Sequence, residues 1–257
     1  MRIATWNVNG LRSRLDFVRL WLRERRPDLV GLQEIKATED QFPFEEFEAE
    51  GYRAELHLQK AWNGVAVLAK EPLEVTQRGL PGEDAMGARL LAAQTRGIHF
   101  VTIYVPNGKT VEHEDFPSKL QWLGSLRRYL EDHHRPNDPV VLCGDFNLCP
   151  TELDTWHEDP TRIFHTPEER RLFRGLEEWG FTDLFRRHHP DAREYSWWDY
   201  RGGAFHRRQG LRIDFLLGTA SVADRIESVE IDRDYRKKRD GLTPSDHAPV
   251  LADLDDR

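Results

Sequence analysis

The sequence predicts a layered α/β or α+β domain, on three observations. Short apolar segments rich in β-branched residues recur along the 257 residues, helical patterns fall between some of them, and most of the strands read as half-buried rather than continuously apolar. The chain opens directly on a strand at 2–6, so no secretion signal is expected. A helix is expected over 11–25, where Leu11, Leu15, Val18 and Leu22 share one face. Strands follow at 28–32, 64–69, 90–95 and 98–105. A second helix is expected over 118–134, on the spacing of Leu120, Leu123, Leu126 and Leu130. After a strand at 140–142, Thr166-Pro167-Glu168-Glu169 opens a third helix with an N-cap and a proline at its first position. Strands at 213–217, 228–232 and 248–251 close the chain. No Ser/Gly-rich linker, internal repeat or low-complexity tract divides it, so residues 1–257 are read as a single domain.

Composition narrows the function classes. No apolar run approaches the roughly 18 residues of a membrane helix, so no membrane partner is expected. The two cysteines, Cys143 and Cys149, are too few to staple a chain of this size, which fits a reducing, cytoplasmic setting. The formal charge is −8, from 37 basic and 45 acidic residues, and taken alone it argues against nucleic acid. Its distribution argues otherwise. Residues 37–50 hold six acids and no base, and Asp253, Asp255 and Asp256 add to the excess in the tail. Residues 186–212 carry seven arginines against three acids, interleaved with Tyr195, Trp197, Trp198, Tyr200 and Phe205. Arginine with aromatics is the combination that phosphate pairing and base stacking use, although aromatic clusters serve equally as core.

Four apolar strands run into amides or carboxylates: Asn7, Gln33-Glu34, Asp145-Phe146-Asn147 and Asp214. Ser245-Asp246-His247 precedes the last strand. Singly, each such residue is an ordinary cap or turn former. Together they supply what hard divalent cations and phosphate esters need: carboxylate oxygens for a metal, and amide and imidazole donors for phosphoryl oxygens. Glycine-rich nucleotide loops, a serine-hydrolase elbow and a helical His-x-x-x-His pair are all missing from the sequence.

Seven short segments now become decisive in combination: 4–12 (ATWNVNGLR), 31–36 (GLQEIK), 104–108 (YVPNG), 144–147 (GDFN), 196–200 (SWWDY), 210–214 (GLRID) and 245–249 (SDHAP). In this order, and spanning nearly the whole chain, they resemble the exonuclease III and apurinic/apyrimidinic (AP) endonuclease family of the endonuclease/exonuclease/phosphatase superfamily. The resemblance implies a four-layered α/β sandwich, two mixed β-sheets face to face with helices outside, and a site where strands end at one edge. It implies a Mg²⁺- or Mn²⁺-dependent phosphodiesterase of base-excision repair that incises duplex DNA 5′ to abasic sites, with 3′–5′ exonuclease and 3′-phosphatase activity. Position by position, it implies a metal site drawn from Asn7, Glu34, Asp145, Asn147, Asp246 and His247, with Glu34 as main ligand. It assigns chemistry to Tyr104, Asp145, Asn147, Asp214 and His247: Asp145 orients or deprotonates water or protonates the leaving oxygen, Asn147 holds Asp145 and the phosphate, and His247, paired with Asp214, donates to a phosphoryl oxygen. Arg12, Asn107, Trp197, Trp198 and Arg212 are implied DNA contacts, on a monomer that takes double-stranded DNA with abasic sites or 3′ ends. Asn107 stands where glutamine is more usual in the family. A binding regulator that has lost catalysis and a small-molecule phosphoesterase are the competing readings; the first predicts gaps among the polar strand ends, and Glu34, Asp145, Asn147, Asp214 and His247 are all present.

Overall fold

Alternating apolar residues give strands one face for each of two layers, and the computed structural model, which describes residues 1–159 and 161–255, assembles them into two six-stranded sheets. Asp256 of the acidic tail lies outside the described residues. The strands are β1 (Arg2–Asn7), β2 (Leu29–Gln33), β3 (Arg53–His57), β4 (Val65–Ala69), β5 (Glu74–Arg78), β6 (Leu90–Thr95), β7 (Ile98–Tyr104), β8 (Val140–Asp145), β9 (Phe181–Asp183), β10 (Asp214–Thr219), β11 (Ile226–Ile231) and β12 (Val250–Leu254). The sheet orders are β11-β12-β1-β2-β4-β3 and β5-β6-β7-β8-β10-β9. Each sheet is mixed, with one parallel pair near its centre: β1 with β2, and β7 with β8.

The helices are α1 (Leu15–Arg25), α2 (Phe44–Ala49), α3 (Asp115–His133), α4 (Pro167–Trp179), α5 (Leu184–His188) and α6 (Ala220–Ala223). Among the described residues, none is long and apolar enough to cross a membrane. The first helix starts at Leu15 rather than 11, because Gly10 turns the chain at φ 96° and Leu11 enters a short 3₁₀ turn. The third expected helix, α4, starts where its capping box places it, with Thr166 accepting from the Glu169 N–H.

Alternation sorts side chains into three apolar layers. Ile3, Leu29, Val67, Phe100, Val141 and Cys143 fill the space between the sheets. Ala4, Trp6, Leu32 and Leu68 face outward onto Phe17, Val18 and Trp21 of α1. Val140, Leu142 and Val101 face outward onto Trp122 and Leu126 of α3 and Phe173 of α4. The result is the helix–sheet–sheet–helix sandwich expected from the resemblance. Gly31 sets the closeness of the sheets: a Cβ there would sit 2.5 Å from Thr102 Oγ1 and 3.0 Å from Cys143 Sγ. Both cysteines are buried and unbridged.

Two buried carboxylates and two arginines form an ion-pair network inside this core. Arg212 is 1% exposed; its Nε meets Asp154 Oδ1 at 2.7 Å and its Nη2 meets Asp183 Oδ2 at 2.7 Å. Arg186 Nη2 also reaches Asp154 Oδ1, at 2.7 Å. Arg212 therefore cannot contact DNA as expected; its guanidinium ties the segment 152–154 to β9. Burial opposes ionisation of Asp154, but Arg212 outweighs it and holds the carboxyl below its usual range.

Replacing Arg212 with methionine takes the guanidinium from buried Asp183 and leaves Asp154 with Arg186 alone, and should destabilise the protein by roughly 3–5 kcal/mol in urea unfolding. Because the folded pKa of Asp154 is depressed, this stabilisation is complete above the unfolded carboxyl value of about 3.9 and is lost as pH falls through the folded value. The gap between wild type and R212M should accordingly narrow on acidification below about pH 4. An unchanged gap would contradict the assignment.

Candidate active site at the joint of the two sheets

The two parallel pairs end at the same edge of the sandwich. Asn7 and Gln33 are paired at the ends of β1 and β2, and Tyr104 and Asp145 at the ends of β7 and β8. Antiparallel β10 begins there with Asp214 opposite Asp145, and His247 lies just before antiparallel β12. The strand ends expected to converge do so, and four nearby non-glycine residues adopt left-handed backbone: Asn9 (φ 46°), Glu34 (54°), Lys36 (54°) and Asn147 (49°). Such conformations cost of order 1–3 kcal/mol each and gather where side chains must be aimed.

Asn7 spans the joint. Its Nδ2 donates to Glu34 Oε1 at 2.8 Å, after one sheet's β2, and to Asp145 Oδ2 at 2.9 Å, on the other sheet's β8. Its Oδ1 accepts from the Asn9 N–H at 3.0 Å and its backbone oxygen accepts from Ser245 Oγ at 2.7 Å. Directly beneath, Gln33 Nε2 donates to Thr5 Oγ1 at 3.0 Å and to Thr102 Oγ1 at 2.8 Å, which locks the sheets together under the site.

His247 is buried, with Nδ1 2.9 Å from Asp214 Oδ2 and 3.1 Å from Oδ1, and Nε2 3.9 Å from Asp145 Oδ2. Ser196 Oγ donates to Asp214 Oδ2 at 2.6 Å and accepts from the Asp214 and Ile213 N–H groups at 3.1 Å, fixing the carboxylate that holds the ring. Burial disfavours the imidazolium, but Asp214, then Asp145 and Asp246, raise its pKa to about 10. Asp145 moves the other way from an ordinary carboxyl: burial, then the Asp214 charge, push its pKa up, against the pull of His247 and the Asn7 amide. Burial also pushes Glu34 up, yet the Lys36 ammonium 2.6 Å from its Oε2, with Asn7, brings it below its ordinary value. Tyr104 keeps its hydroxyl protonated through burial and the Glu34 and Asp145 charges, with Arg89 4.9 Å over its ring.

Of the six residues expected at a metal, three offer clustered ligand atoms, Asn7 bridges two of those three, and Asp246 and Asn147 are engaged with other partners. Glu34, Asp145 and His247 offer ligand atoms within 4.8 Å of one another. Glu34 and Asp145 bring carboxylate oxygens from two sheets onto one amide nitrogen, a like-charge arrangement and a donor set that suit a hard divalent cation. Asp246 instead accepts from Asn9 Nδ2 at 2.9 Å and from Trp197 Nε1 at 3.0 Å. Both ends of the Asn147 amide are also engaged, Nδ2 with the Val105 oxygen and Oδ1 with Asn107, while its N–H donates to Asp145 Oδ1 at 2.9 Å.

Asn107 and Arg12 are exposed, and Asn107 lines a cleft of about 510 Å³ with Trp156, Phe164, Trp197 and Leu211. Trp198 does not share this position. It is 1% exposed and packs edge-on against Phe205 at 5.0 Å, so it supports the loop from inside and does not line the cleft as a groove contact, contrary to expectation.

Lys36, Asn9, Ser196 and Lys119 take part without having been singled out in the sequence. Lys36 and Asn9 stood inside recognised motifs, and Ser196 beside Trp197. Lys119 gave no signal, because a lysine on a helix ordinarily faces water. Here it is fully buried, donates to the Asn147 backbone oxygen at 2.6 Å and pairs with Glu169 of the α4 capping box. The segment that follows β8 is thus anchored to two helices.

Residues 4–247 match the Endonuclease/Exonuclease/phosphatase family. The chain is 36% identical to exodeoxyribonuclease III of Haemophilus influenzae across 99% of this chain and 100% of that protein. Among solved structures it resembles an AP endonuclease from Archaeoglobus fulgidus at a TM-score of 0.93, with 36% identity and 99% of both chains covered. It also resembles the 3′ phosphatase NExo from Neisseria bound to a product DNA hairpin, at a TM-score of 0.92, 36% identity and 99% coverage of both chains. The chain belongs to the endonuclease/exonuclease/phosphatase family, as a nuclease of its exonuclease III and AP endonuclease branch.

Proposed function

We propose that this nuclease is a Mg²⁺-dependent repair phosphodiesterase that incises duplex DNA 5′ to abasic sites and trims 3′ ends, as a 3′–5′ exonuclease and 3′ phosphatase. The observation that carries the reading is the buried Asp214–His247 pair, which itself spans the two sheets, with Asp145 and Glu34 gathered beside it at the joint. Glu34 and Asp145 would hold the metal, which when bound neutralises charge that builds on the phosphoryl oxygens. His247, kept protonated by Asp214, presents Nε2–H to a non-bridging oxygen and acts as donor rather than ligand. Asp145, whose two oxygens are fixed by the Asn7 amide and the Asn147 N–H, orients or exchanges a proton with the attacking water or the leaving oxygen. Tyr104 supplies a further donor, this one neutral.

The cleft beside the site supports an abasic substrate. Trp197 and Leu211 give it an apolar wall, while Asn107 at its rim offers a polar contact to the backbone. The names of the full-length relatives, an exodeoxyribonuclease, an AP endonuclease and a 3′ phosphatase, support the three activities. We further propose a single-domain monomer acting in the cytoplasm, a setting that suits two free buried cysteines.

A duplex carrying one tetrahydrofuran abasic analogue should be cut on its 5′ side with Mg²⁺ and left intact with EDTA. H247N should lower turnover by about 10²–10³, the usual loss for one donor to a developing oxyanion, with little change in DNA affinity. Binding without incision by the wild type would instead support the regulator reading. Lys119 acts through the Asn147 backbone, so K119M should lower kcat by about 10²-fold with KM nearly unchanged. An equal kcat in a folded K119M protein would remove Lys119 from the positioning of Asp145.

A further inference from the structure

Apart from Arg207, the arginines of the segment 186–212 fall into distinct classes. Arg186 and Arg212 are consumed in the Asp154–Asp183 network, Arg187 pairs with Asp224 and Arg201 with Asp199. Arg193 and Arg208 pair with no carboxylate among the described residues, and Arg193 instead donates Nη2 to the Glu152 backbone oxygen at 3.0 Å. Both line a pocket of about 290 Å³ together with Glu194, Tyr195, Trp198 and a third such arginine, Arg233. The Arg233 guanidinium is stacked 5.5 Å from the Trp198 ring and 5.3 Å from the Phe205 ring, and its Nε is buried with no hydrogen-bond partner. Trp198 Nε1 is likewise buried without a partner.

Three guanidinium groups around one recess, faced by a single carboxylate that bridges none of them, carry an excess of positive charge and of N–H donors. Like charges held together raise the energy of the empty pocket, and an oxyanion removes that cost. Arginine's planar fork matches phosphate oxygens, and stacking on aromatic faces pre-sets its orientation. The pocket is separate from the catalytic cluster but continuous with it in the chain: Arg193 to Tyr195 lead into Ser196, which holds Asp214, and Trp197, which holds Asp246.

We propose that Arg193, Arg208 and Arg233 form a second, non-catalytic phosphate site. The favoured source of the phosphate is the DNA backbone away from the scissile bond; free inorganic phosphate is the other source of the same chemistry. The site does not rest on the incision reading, because its test is binding measured in EDTA.

The R193Q/R208Q double variant and, separately, R233Q should be compared with wild type in two measurements, with circular dichroism confirming that each is folded. The first is affinity for an undamaged duplex across a salt series; the second is the thermal midpoint in sodium phosphate against sodium chloride at equal ionic strength and pH. For a backbone phosphate, both variants lose about tenfold in affinity for every sequence, and the slope of log K against log salt falls by about one. For free phosphate, the slope is unchanged and part of the wild-type midpoint rise in phosphate disappears in both variants. If folded variants keep both the slope and the full midpoint rise, the site does not exist.

Discussion

The candidate site depends on one carboxamide. Asn7 donates a single nitrogen to two carboxylates that belong to different sheets, and its own oxygens are held by Asn9 and Ser245. Removing it would leave Glu34 and Asp145 facing each other with nothing between them. The layers below exist to make that meeting possible: Gly31 admits Thr102 and Cys143 at close range, and Gln33 bridges the threonines of both sheets. A polar bridge of this kind is stable only when every member is satisfied, as these are. The same joint sets the protonation states, since Asp214 on one sheet charges the histidine that approaches from the other.

Much of the site was legible in the sequence because strand ends carry information in pairs of letters: an apolar run followed at once by Asn, Glu or Asp. The central strands were equally clear. The three strands that escaped, β3, β5 and β9, are all sheet edges, where one side of the ladder is open and the apolar pattern weakens; β5 alternates exposed and half-buried residues, and β9 has three residues. The acidic run at 37–50 hid α2, whose one buried anchor is Phe47.

What the sequence could not reveal is which charges meet. Arg212 and Trp198 stand among arginines and aromatics that read as a DNA surface, yet one is locked between Asp154 and Asp183 and the other supports Phe205. Their partners lie 29 to 58 residues away or across a loop, beyond any local pattern. Lys119 failed for the same reason: its value comes from Asn147 and Glu169, distant in sequence. Net charge needs the same correction. Of the −8, four charges belong to Glu34, Asp145, Asp214 and Asp246, which leaves −4 for the rest of the chain. The cationic surface that remains is smaller than the arginine count suggests and is concentrated in residues without acidic partners.

In the proposed function the two sheets jointly present one cation site through Glu34 and Asp145. A crystal structure of the protein grown with Mg²⁺ tests it most directly. One ion is expected, with oxygens of both residues at or near its coordination shell, at about 2.0–2.1 Å or through one water. An ion bound on one sheet alone, with the carboxylate of the other turned away and still paired to Asn7, would contradict it.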